Sequence, residues 1–251
     1  MTVRQLAGTT AVVTGASRGF GRAISVSLVE RGAHVVGVAR NQELLAELKE
    51  QLGEAFTAEV ADATDPSLPA RLISLYRPHT LVLNAGATPM PATLQEQTWE
   101  TFSINWNMDV QHVFTFTREA LRAPLDPGSV VVSLSSGAAL GGSPMSGGYA
   151  GAKATIRFIS SYAGSEAQRD GSKVRFVAVV PQLTPATDLG TIYAETYATQ
   201  AGVSVETFLE QRFGGELTVD QAGKSISDLV VDGDYDAPAY LLGVGGLQAI
   251  G

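Results

Sequence analysis

The chain contains no cysteine. Disulfides and thiolate metal sites are therefore excluded. Histidine is scarce too: His34, His79 and His112 are the whole set. No two of them stand at metal-ligand spacing, and no carboxylates cluster with them, so no metal is expected. His34 and His79 open predicted strands and read as structural. Basic residues are outnumbered, 17 Lys and Arg against 25 Asp and Glu, for a net charge of −8. No dense Lys/Arg stripe offsets that excess, which argues against a nucleic-acid partner. No apolar run reaches the roughly 18 residues of a membrane span. The opening "MTVRQLAGTTAVVTG" lacks the apolar core of a secretory leader. The expectation is a cytoplasmic protein with no membrane partner.

What the sequence does hold is a strand–helix alternation. Over 251 residues, 45% are hydrophobic, 17% are charged and 27 are glycine. "TTAVVT", "AHVVGVA", "AFTAEVA", "HTLVLNAG", "GSVVVSLSS", "KVRFVAVV" and "AYLLGV" read as strands. Amphipathic stretches such as "GRAISVSLVERG" and "QELLAELKEQLG" separate them. Strands apolar on both faces, alternating with helices, predict a doubly wound α/β fold. Its parallel sheet would have about seven strands, with helices on each side. No linker or repeat divides the chain, so residues 1–251 are expected to form one domain. The alternation stops over 184–220, which holds short helical pieces and exposed-looking aromatics. An insertion of that length predicts a substrate-binding loop or lid.

The first predicted strand runs into "TGASRGFG", residues 14–21, which opens a helix. Gly15, Gly19 and Gly21 allow a tight turn and close approach of a ligand. Ser17, Arg18 and Phe20 fill the rest of that turn. A helix N-terminus offers free N–H groups to a pyrophosphate. In this strand–turn–helix setting the motif predicts a dinucleotide. At the end of the second strand, where NAD-type folds carry an acidic residue for the ribose 2′-hydroxyl, stand Ala39 and Arg40. The guanidinium of Arg40, with Arg18, suits a 2′-phosphate. The cofactor expected is NADP(H), in preference to NAD(H).

In "GGYAGAKATIRF", Tyr149 and Lys153 stand four apart on a predicted helix and so share a face. A free tyrosine titrates near 10 and is a poor acid–base group at neutrality. A nearby ammonium favours the phenolate. A tyrosine so tuned can protonate a carbonyl oxygen, or take the proton back in reverse.

With these residues in hand, the sequence resembles the short-chain dehydrogenase/reductase family over nearly its whole length. "TGASRGFG" is similar to the family's TGxxxGxG turn, "NAG" (Asn84, Ala85, Gly86) to its strand-four motif, and "YAGAK" to its YxxxK pair. Ser136 lies thirteen residues before Tyr149, as the family's serine does, and "FSINWN" offers Asn105 for its asparagine. The resemblance implies a Rossmann-like fold. It casts Tyr149 as acid/base, Lys153 as its tuning group and ribose ligand, Ser136 as oxyanion donor and Asn105 as holder of a relay water. It further implies cofactor contacts at Asp62, beside adenine, and at Pro181, Leu183 and Thr184 after the sixth strand. The predicted helices over 107–122 and 149–169 resemble those through which family members dimerise, so a homodimer or homotetramer is expected.

The sequence departs from the family pattern in places. Gln182 follows Pro181 where glycine is usual, which brings a side chain near the nicotinamide end. Leu83 stands where a first asparagine is common, and Gly243, Gly245 and Gly246 match the closing motif loosely. Leu140, Met145, Leu183, Tyr193, Tyr197, Phe208 and Phe213 are candidate lining for a substrate cleft. With Ser136 and Tyr149 they suit a hydrophobic carbonyl compound. Trp99, Phe102, Trp106, Phe114 and Phe116 read as core or subunit contacts. Three rival functions compete: a Ser–His–Asp hydrolase, for which the GxSxG elbow is missing; an epimerase or dehydratase; and a non-catalytic NADP(H)-binding sensor or scaffold. The favoured reading is an NADPH-dependent carbonyl reductase.

Overall fold

A computed structural model describes residues 6–123, 125–232 and 235–250. The strands are β1 (Thr10–Thr14), β2 (His34–Ala39), β3 (Phe56–Val60), β4 (Thr80–Leu83), β5 (Val130–Leu134), β6 (Arg175–Pro181), β7 (Ala239–Gly243) and β8 (Gly246–Ile250). They form one sheet in the order β3-β2-β1-β4-β5-β6-β7-β8. The first seven are parallel, and β8 returns antiparallel to β7. The expected Rossmann-like sheet is present with one strand more than the seven counted. None of the five residues of "GLQAI" is buried, so it lacks the two-faced apolar signal of the inner strands.

Around the sheet lie α1 (Gly19–Glu30), α2 (Gln42–Leu52), α3 (Leu68–Tyr76), α4 (Trp99–Phe102), α5 (Gln111–Arg122), α6 (Ala138–Gly141), α7 (Tyr149–Arg169), α8 (Asp188–Ala201), α9 (Val205–Phe213) and α10 (Val219–Val231). Successive strand residues face opposite layers. Val13 and Val35 pack with Ile24, Leu28, Leu45, Ile226 and Leu229 of α1, α2 and α10. Val12 and Val36 pack with Leu72, Phe116 and Ile156 of α3, α5 and α7. This double burial is why the strands are apolar on both faces.

Several ends are fixed by local chemistry. The Asn41 side chain accepts from Leu44 N at 3.0 Å and starts α2. Thr218 and Gln221 form a reciprocal capping box on α10. Because β1 pairs with both β2 and β4, the chain reverses its direction of travel across the sheet there. A crevice opens at such a point, outside the carboxyl ends of the strands.

The segment 184–220, expected as a loop or lid, is largely helical, being built from α8, α9 and the start of α10. Its aromatics are not the exposed set that the sequence suggested. Tyr193 is buried, while Tyr197, Phe208 and Phe213 are half-buried in a chain of ring contacts with centroids 5.9 to 6.3 Å apart.

Candidate active site

The crevice is a cleft of about 1540 Å³. Its floor begins at the end of β1. Gly15 turns with φ +68, a left-handed conformation that glycine adopts without strain, and its N–H donates to Val38 O at 2.8 Å. Ser17, Arg18, Gly19 and Phe20 line the cleft with it. Gly21 does not; it packs behind, where a Cβ would meet Gly15 O at 2.1 Å. Asn84 braces the same turn from β4, its Nδ2 donating to Thr14 O at 3.0 Å and Gly15 O at 3.3 Å. Ala85 and Gly86 continue the wall.

At one end of the cleft Arg40 is 72% exposed, with Nη1 4.0 Å from Asp62 Oδ2. Asp62 accepts from Thr64 N and Thr64 Oγ1 at 2.9 and 2.8 Å, and these bonds hold its carboxyl below the usual range. Arg18 points the other way, to Asp188 on α8 at 2.7 Å, in a pair well exposed to solvent. His112 of α5 lines the same end. It is buried, and neither ring nitrogen has a hydrogen-bond partner of good geometry.

At the other end α7 begins, and Tyr149 and Lys153 come together as their spacing predicted. Lys153 Nζ lies 5.6 Å from the centre of the Tyr149 ring. Tyr149 is half-buried on the cleft wall; Lys153 is buried beneath it. Lys153 Nζ donates to Leu134 O at 3.1 Å and pairs with Asp109 Oδ2 at 3.1 Å. Burial works against the ammonium, but the Asp109 carboxylate and then Tyr149 outweigh it and hold Lys153 above the ordinary lysine value. Ser136 lines the cleft at the end of β5, its Oγ accepting from Ala138 N at 3.2 Å. That leaves its O–H free to donate into the cleft. Ser135 instead points inward and donates to Lys153 O at 2.7 Å, which fixes α7 against β5.

Asn105 meets Lys153 through Asp109, whose Oδ2 both approach. Its buried Nδ2 donates to Ala87 O at 2.7 Å and reaches Asp109 Oδ2 at 3.4 Å, and it does not line the cleft. The group against the ammonium is Asp109, which the sequence reading passed over. Asp109 sits in a π-helical turn, Trp106–Val110, that leads into α5. Its nearness to Gly86 was a signal only the fold supplies: a Cβ at 86 would stand 2.9 Å from Asp109 Oδ2.

Pro181, Leu183 and Thr184 border the cleft, with Thr184 Oγ1 donating to Leu217 O at 2.5 Å. Gln182 lines the cleft beside them. Its Nε2 donates to Gly215 O at 3.0 Å and ties the end of β6 to the turn after α9. Leu140 and Tyr193 line the cleft, as do Tyr197, Phe208 and Phe213. Met145 lies just outside the lining, with φ +65 and its carbonyl 3.5 Å from Tyr193 Oη.

The cleft suits a nicotinamide dinucleotide. It has a glycine cradle at a helix N-terminus, a buried imidazole along its wall, and a lysine with two of its three N–H donors used. Among the described residues no group of three His, Cys, Asp or Glu could hold a metal, and no helix is long and apolar enough to cross a membrane.

Comparison with known proteins agrees with this geometry. The chain is 34% identical over 161 residues to versicolorin reductase 1 of Aspergillus parasiticus, covering 61% of each chain. It is 29% identical to a short-chain type dehydrogenase/reductase of Picea abies over 81% of this chain and 80% of that one. It is 30% identical to the NADPH-dependent pterin aldehyde reductase of Arabidopsis thaliana, over 62% of this chain and 67% of that one. The match thus spans about three fifths of the length of versicolorin reductase 1. The family profile for short chain dehydrogenases matches residues 9–197. The chain belongs to the short chain dehydrogenase family, whose members are oxidoreductases that bind nicotinamide cofactors.

Proposed function

We propose that the chain is an NADPH-dependent carbonyl reductase, equivalently an alcohol dehydrogenase in reverse, acting on a hydrophobic ketone or aldehyde. The observation that carries this reading is Tyr149 on the cleft wall with the Lys153 ammonium 5.6 Å from its ring. When bound, the nicotinamide supplies the hydride or takes it up. The chain's own residues do the rest. The N–H groups at the start of α1 and the turn at Gly15 would hold the pyrophosphate. Arg40, with Arg18 once freed from Asp188, would take the 2′-phosphate. Lys153 has one N–H left over for a ribose hydroxyl. Ser136 donates to the substrate oxygen, and Tyr149 Oη gives that oxygen its proton. Leu140, Tyr193 and Phe208 make an apolar wall that keeps water from the reacting carbonyl.

The proposal includes residues 1–251 acting as one domain, cytoplasmic location, and assembly into a homodimer or homotetramer. NADPH absorbance followed with a panel of ketones and aldehydes tests the activity. Y149F is expected to lose at least a hundredfold in turnover while still binding NADPH by fluorescence. Turnover equal to that of the unaltered chain would overturn the role of Tyr149. Tight NADPH binding with no turnover over the whole panel would favour a cofactor sensor instead.

A further inference from the structure

Asp109 and Lys153 form a buried ion pair, their side chains 1% and 7% exposed, with Nζ and Oδ2 3.1 Å apart. Burying two charges is costly unless further hydrogen bonds complete the pair. Here they do: Asp109 Oδ1 accepts from Ala87 N at 2.8 Å, and Lys153 donates to Leu134 O at 3.1 Å. The pair thus joins four elements at the foot of the tyrosine: the loop after β4, the π-helical turn before α5, the end of β5, and α7. Gly86 is what lets the carboxylate in, since a Cβ there would stand 2.9 Å from Oδ2.

We propose that Asp109 is a positioning residue that clamps the Lys153 ammonium beneath Tyr149 and offsets its charge, setting the pH at which the Tyr149–Lys153 couple gives up its first proton. This rests on the reading of Tyr149 as the acid of a reductase. Reduction requires the phenol protonated and the ammonium intact. A carboxylate in contact with the couple opposes loss of a proton from either group, because it stabilises the more positive state. The other titratable groups in reach are few. His112, on α5, is held neutral by burial. Tyr193 and Tyr197, on α8, are pushed up by burial, Tyr193 to about 12.

The test is D109N, which removes the charge but keeps an oxygen to accept from Ala87 N. The alkaline limb of the pH–rate profile for reduction should move about one pH unit or more toward acid. The phenolate absorbance of the cofactor-free protein, with that of Y149F subtracted, should move the same way. D109A should match D109N in that shift but be less stable to heat. If D109N folds and its phenolate titration coincides with that of the unaltered chain, Asp109 is a structural anchor only and the proposal fails. The titration needs no substrate. A chain that turns over no carbonyl compound yet shows the shift keeps Asp109 in this role and removes the reductase reading instead.

Discussion

Lowering the pH from about 6.5 toward 5 reaches histidine before it reaches most carboxylates, and His112 is the histidine with most to lose. It is buried in α5, edge-on to Phe116 with ring centroids 5.2 Å apart. Burial, with the Lys153 ammonium as a second cause, pushes His112 down from 6.5 to about 3; the backbone of Ala85 and the Asp62 carboxylate pull the other way and are weaker. The unfolded chain takes up a proton near pH 6.5 that the folded chain refuses until about 3. The unfolded state therefore binds more protons throughout that window, and stability falls with acidification by about 1.4 kcal/mol per pH unit. The contribution is complete above about pH 6.5 and exhausted below about 3. Between pH 6.5 and 5 the loss is about 2 kcal/mol, a large part of the 5–15 kcal/mol typical of a folded domain.

Urea unfolding at those two pH values, at fixed protein concentration and without cofactor, reads this difference directly. His79, half-buried and lowered by burial and by Arg175, adds to the slope with the same sign. The diagnostic variant is therefore H112L, compared with the unaltered chain at each pH. It should be as stable as the unaltered chain or more so at pH 7, because it replaces a buried, poorly satisfied polar ring with an apolar side chain. It should lose most of the acid dependence. An H112L protein whose unfolding free energy falls by the same 2 kcal/mol or so over this range would show that the imidazole is not the group responsible.

Two further outcomes test the periphery of the site. R40A should weaken NADPH binding about tenfold to a hundredfold, the worth of a charge-assisted hydrogen bond, and leave NADH binding unchanged; equal losses for both, read by fluorescence titration, would separate Arg40 from the 2′-phosphate. On α7, Phe158 and Tyr162 stack at 6.0 Å and are 57% and 62% exposed. F158D should drive a homo-oligomer toward monomer in sedimentation velocity without altering melting of the monomer, and an unchanged sedimentation coefficient would remove this face from the interface.

Much of the fold was legible because its signals are local or periodic. The two-faced apolar strands and the turn at Gly15 each depend on a few neighbouring residues, and they fall where they were expected. Tyr149 and Lys153 lie on a regular helix of 21 residues that begins at Tyr149, so counting four along the chain gave the right face. Gln182 was legible only in part: it lines the cleft as its place after Pro181 suggested. Its position next to Pro181 was plain, but its side chain follows an acceptor, Gly215 O, that is 33 residues away. No local count reveals that partner.

Asp109 shows where counting fails. Helical spacing assumes i→i+4 bonding, and Trp106–Val110 is a π-helical turn, in which each turn takes up an extra residue and the face presented inward moves along the sequence. Asn105, chosen from "FSINWN", falls one turn too early and is spent on Ala87 O. The residue that faces Lys153 is the next inward position, and it carries a charge where an amide was expected. Nothing in the composition of the turn announces this, since it depends on Gly86 yielding space, on Ala87 N donating, and on Lys153 arriving from another helix. A buried carboxylate is stable there because these contacts, together with Asn105 Nδ2 at 3.4 Å, are all present. Loss of Lys153 would leave a desolvated carboxylate without its partner, and a side chain at 86 would collide with it, so the segments around Gly86, Asp109 and Lys153 must be treated as one unit when any of them is mutated.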